Sequence, residues 1–122
     1  MDTTHLVLEF QSDLYRIPIM SIIYIKADGN YSNIYLHGNE NIYVTRQLGK
    51  IADDIRSQLG ENGSNFVLVG KSLIINYNYI FRINVPEQQL KLMDKFYSIY
   101  TIEASKEALK NLKAAVSEKT KE

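Results

Sequence analysis

Phe66-Val-Leu-Val-Gly-Lys-Ser-Leu-Ile-Ile-Asn-Tyr-Asn-Tyr-Ile80 is the stretch that decides the fold. Two short apolar runs, Phe66–Val69 and Leu73–Asn76, flank Gly70-Lys-Ser72. Runs this short and rich in β-branched residues read as strands, and glycine beside polar residues reads as a turn. Ile74 and Ile75 are expected to pack inward. Asn76 is expected to hydrogen-bond backbone at the strand end, a place where asparagine is at home.

The same texture continues on both sides. Upstream, Ile22-Ile-Tyr-Ile-Lys26 reads as a buried strand, Asp28-Gly-Asn30 as a turn and Tyr31–Leu36 as the return strand. His37-Gly-Asn39 is the next turn, and residues 41–45 form another short strand. Residues 6–10 alternate apolar and polar. Arg16-Ile-Pro-Ile19 must be a turn or an edge, because proline cannot donate to a ladder. Downstream, residues 79–83 follow as a strand and 84–87 as a turn. Residues 89–92 and 98–102 make a hairpin around Asp94-Lys95.

Two segments change period. Leu48, Ile51, Ala52, Ile55 and Leu59 form one helical stripe, which Gly60 is placed to end. Ser105 reads as the N-cap of a closing helix whose stripe is Ala108, Leu109, Leu112, Ala115 and Val116. Residues 117–122 are charged and expected to fray. No repeat, low-complexity segment or linker interrupts the chain. The expectation is one mainly β domain over 1–122, with its core in roughly residues 10–116.

Composition narrows function. The 122 residues are 45% hydrophobic, enough for one real core. There is no cysteine, hence no disulfide, thiolate metal site or cysteine nucleophile. Met1-Asp-Thr-Thr-His5 lacks the basic start and apolar run of a signal peptide, and no apolar stretch is long enough to span a bilayer. A soluble cytoplasmic protein is expected. Fourteen basic residues balance fourteen acidic ones. That argues against a strongly basic nucleic-acid binder but leaves room for a compact basic face.

Catalytic constellations are missing. Asp53 and Asp54 are adjacent on a helix and lie off its apolar stripe, so a solvated face explains them. His5 and His37, the two histidines, belong to no ligand cluster. No Gly-x-Ser-x-Gly elbow occurs. Gly70-Lys71-Ser72 echoes a phosphate loop, but the upstream glycine falls on Asn65. No catalytic residue, metal or cofactor is expected. Polar residues gather instead at turns between strands: Asn30 and Tyr31, Arg46, Lys71 and Ser72, and Lys106. A solvated loop explains each one alone; their pattern together does not read as bland.

In this order the segments resemble the LytTR family of bacterial DNA-binding domains. Residues 17–31 resemble its opening, a strand followed by an acidic residue, glycine, a polar residue and an aromatic one. Residues 42–48 resemble the strand that carries a basic residue into the first helix. Residues 66–80 are the most specific part: a basic residue, serine, three apolar residues and asparagine, with isoleucine soon after. Residues 100–106 resemble the closing strand and the serine before the final helix. The likeness covers roughly residues 10–116.

The resemblance implies an elongated domain of small antiparallel sheets with two helices, which binds double-stranded DNA through loops in successive major grooves. It places Tyr31 with Asn30 in the first reading loop. Lys71 falls in the second, beside Ser72, and Lys106 with Glu107 in the third. Ser105 and Lys110 become phosphate contacts. Arg46, at the entry to the first helix, is expected among the DNA-binding residues as well. Lysine can bond guanine acceptors, and phosphate contacts set register. The tyrosines, spread along the chain, are expected to pack strands rather than stack bases.

The chain departs from the family at Lys71, where arginine is frequent, and at Glu107, where a second basic residue is usual. Near phosphates Glu107 is a lost contact; near cytosine it accepts from the exocyclic amine. Both readings stay open. Members commonly carry a receiver or membrane module ahead of this domain, and residues 1–9 are too few for one. The chain works alone, answers to a partner signalling protein, or is part of a longer one. Three functions compete: a transcription regulator reading repeated sites as two copies, a protein-interaction module with weak DNA affinity, and a small-molecule-binding domain or enzyme.

Overall fold

A computed structural model describes residues 3–120. Among the described residues the chain forms ten strands and two helices. The first ribbon is β1 (His5–Phe10) with β2 (Asp13–Pro18). Pro18 sits at the ribbon's end, opposite His5, where its missing N–H costs little. The 16–19 segment is thus largely an edge strand.

The central sheet has five antiparallel strands in the order β5-β4-β3-β7-β6. They are β3 (Ile22–Asp28), β4 (Tyr31–Leu36), β5 (Asn41–Val44), β6 (Phe66–Val69) and β7 (Leu73–Asn76). The stretch that decided the fold is therefore one hairpin of this sheet. A third sheet, in the order β10-β9-β8, holds β8 (Ile80–Asn84), β9 (Gln89–Met93) and β10 (Ile99–Glu103).

Both faces of the central sheet are covered, and this explains its unbroken apolar runs. Ile22, Ile25, Ile34 and Ile74 pack on one side with Leu6, Leu8, Ile17 and the stripe of α1 (Leu48–Leu59). Ile23, Tyr24, Leu73 and Ile75 pack on the other with Leu90, Leu92, Tyr100, Ile102, Leu109 and Leu112. A register shift between Ile22 and Tyr24 puts Ile23 and Tyr24 on the same side and so breaks the simple alternation.

Gly60, at φ +55, ends α1 as its position implied. The second helix, α2, runs Lys106–Thr120. Lys119 places its ammonium 4.3 Å from the Tyr77 ring centroid and ties that last turn down. Residues 121 and 122 lie outside the described residues. Asn76 is fully enclosed: its Nδ2 donates to the Ile22 carbonyl at 3.0 Å and its Oδ1 accepts from the Asn78 N–H at 3.1 Å. It is a backbone clamp, as read from the sequence.

Candidate nucleic-acid interface

Register brings the polar turns together. β3 runs into the 29–30 turn and β4 leaves it. β7 starts opposite Lys26, and the Ala27 N–H donates to the Ser72 carbonyl at 2.9 Å. The turn bearing Asn30 and Tyr31 therefore lies beside the turn bearing Lys71 and Ser72. β5 ends opposite Ser32, whose buried hydroxyl donates to the Arg46 carbonyl at 2.7 Å. That brings Arg46 to the same end of the sheet.

The start of α2 joins them. Gly70 takes a left-handed conformation, φ +64, which glycine adopts without cost. This turn lies close to α2: a Cβ on Gly70 would stand 3.5 Å from that of Ala108. An open groove of about 410 Å³ runs between β6 and α2, and Lys71, Ser105 and Glu107 share its lining. Ser105 caps the helix, its Oγ accepting from the Ala108 N–H at 3.1 Å. Ser105 is itself exposed. The three segments named from sequence thus converge on one end of the fold.

Their charges differ in availability. Among the described residues Lys71, Lys106, Lys110 and Glu107 are exposed and make no ion pair. Arg46 is committed: its Nε and Nη2 donate to the two Asp54 oxygens at 2.5 and 2.8 Å. The Asp54 hydrogen bonds hold its guanidinium charged more firmly than usual. Asp54 consequently departs from the solvated-face reading, because the β5–α1 connection folds back onto it; Asp53 pairs with Arg56 on the exposed face.

Asn30 is partly used as well, its Oδ1 accepting from Gln47 Nε2 at 2.9 Å. Tyr31 stacks on Tyr43, with centroids 5.1 Å apart and planes 16° from parallel, and both rings are exposed. Tyr43 in turn donates to Asp28 at 3.3 Å. Sequence reasoning passed over Tyr43, Asp28 and Gln47. Tyr43 was findable, since it lies opposite Asn33 and diagonal to Tyr31 on one face of a hairpin. Other tyrosines do pack strands: Tyr24 stacks on Tyr35 at 4.3 Å and meets Tyr100 edge-on.

No group of three or more His, Cys, Asp or Glu that could hold a metal occurs among the described residues. None of their helices is long and apolar enough to cross a membrane.

The comparisons agree with this architecture. The chain is similar in fold to the LytTr DNA-binding domain of a Bacillus cereus protein described as a methyl-accepting/DNA response regulator. The TM-score is 0.61 at 13% identity, over 94% of this chain and 98% of that one. No curated protein matches. The family model of the LytTr DNA-binding domain matches residues 12–117, and the chain belongs to that family of DNA-binding, non-catalytic domains.

Proposed function

We propose that this chain is a sequence-specific transcription regulator that lays three loops into the major groove of double-stranded DNA. The observation that carries this reading is the convergence of the 28–31 turn, the 70–72 turn and the start of α2 at one end of the fold, with three unpaired lysines among them. Lys71 donates to guanine acceptors; Ser72, Ser105, Lys106 and Lys110 hold phosphates; Asn30 and the edge of Tyr31 contact the neighbouring groove. Arg46, locked to Asp54, holds the first loop's frame rather than reaching far out. Two copies bind repeated sites, in the cytoplasm where such DNA lies. No cofactor takes part.

A second reading has its own support. Phe96 and Tyr97 are 70% and 81% exposed in the β9–β10 turn, at the other end of β10 from Ser105. Tyr97 holds φ +65, a strained conformation for a bulky residue. A partner signalling protein would find that surface free while DNA occupies the other end.

The test is selection of bound duplexes from a random pool, with affinity followed against salt. Enrichment of a short repeated motif, with binding that weakens as salt rises, is the expected result. No enrichment at low salt would overturn the DNA reading and favour the interaction module.

A further inference from the structure

The groove between β6 and α2 has one feature that a phosphate-binding surface would avoid. Glu107 lies on its rim with Lys71 and Ser105. It stands in the first turn of α2, three residues before Lys110, yet it pairs with neither lysine. An acid there is favoured by the helix N-terminus, which accounts for its tolerance in the free protein. That does not account for its place among the lysines of a DNA-facing end. A carboxylate is acceptor-only, and phosphates offer it no donor. In the major groove the donors are the exocyclic amines of cytosine and adenine, and the pairing that suits a carboxylate is cytosine N4. Lys71, on the same rim, suits the O6 and N7 acceptors of guanine.

Resting on the DNA-binding reading above, we infer that Glu107 and Lys71 form a two-residue reader of cytosine and guanine. Glu107 accepts from a cytosine amine while Lys71 donates to a guanine in the same or the adjoining base pair. The carboxylate is a specificity determinant: it repels the backbone everywhere and recovers that cost where cytosine is present.

The test is duplex selection from a random pool with the wild type, Glu107→Gln and Glu107→Ala, helix content being checked for each. The wild-type motif should contain an invariant C·G base pair at one position. Glutamine, which can donate and accept at once, should move that position toward adenine. Alanine should erase the preference, with discrimination falling on the order of tenfold. A wild-type motif whose C position is unchanged in both variants, with affinity raised equally for all sequences, would overturn the inference and leave the DNA reading standing. No wild-type motif at all would overturn the DNA reading and this inference with it.

Discussion

The Ala27 N–H donates to the Ser72 carbonyl at 2.9 Å, and that one bond sets two turns, forty residues apart, side by side at the end of the central sheet. Tyr31 and Lys71 are thereby held at a single edge, because both turns are extensions of paired strands rather than free loops.

Lys71→Glu should abolish specific DNA binding. It removes a donor to guanine and adds repulsion, for a loss on the order of a hundredfold or more. Lys71 is exposed and forms no ion pair, so thermal stability should shift by no more than about 0.5 kcal/mol. Fluorescence anisotropy with a labelled duplex and a melting curve check the two halves. Normal specific binding by the variant would place the reading surface elsewhere.

Lys106→Ala and Lys110→Ala should act through charge rather than sequence. Each should lower the slope of log K against log salt by about one, with affinity falling alike on matched and unmatched DNA. Titrations at three or four salt concentrations measure this. An unchanged slope would remove that lysine from the phosphate contacts.

Asn76→Ala should destabilise the fold without touching DNA directly. It strands the Ile22 carbonyl and the Asn78 N–H, both held by the buried amide. A loss of about 1–3 kcal/mol follows from leaving such groups unpaired, readable in a urea melt. DNA affinity of the folded fraction should be unchanged.

Asp94 ties stability to acid pH. Burial pushes its carboxyl up, but hydrogen bonds from the Tyr100 hydroxyl at 2.8 Å and from the N–H groups of Ser98, Phe96 and Gly38 outweigh that and hold it below the ordinary 3.8. With the folded value below the unfolded one, its contribution is complete above the unfolded value. It is lost as pH falls from about 4 through the lowered folded value. Asp94→Asn should be less stable at pH 7 and should lose less on acidification. Melting temperatures of both proteins from pH 7 to pH 2.5 decide it; parallel curves would dismiss the carboxylate's role.

The elements were legible in the chain because each follows from local rules. The α1 stripe, the turn glycines, the Ser105 cap and the strands around 70–72 all depend on neighbours within a few residues. The Arg46–Asp54 pair was not legible, since adjacent acids on a helix say nothing of which connection folds over them. The contact of Lys119 with the Tyr77 ring was not legible for a similar reason: the two residues lie forty-two apart in the chain. Tyr31 and Tyr43 look like any other strand tyrosines until pairing places them on one exposed face.

By itself, then, the sequence determined strands against helices, the mainly β fold class and the family. Periodicity, turn chemistry and motif order are properties of short segments and survive without knowledge of the fold. Only the tertiary structure decided that the 28–31 turn, the 70–72 turn and the first turn of α2 share one end, that Arg46 is engaged while Lys71 and Glu107 are left unpaired across one groove, and that Asp94 is enclosed by donors. Those outcomes rest on strand register and on contacts between distant segments, where each group's partner is set by what the rest of the chain brings beside it.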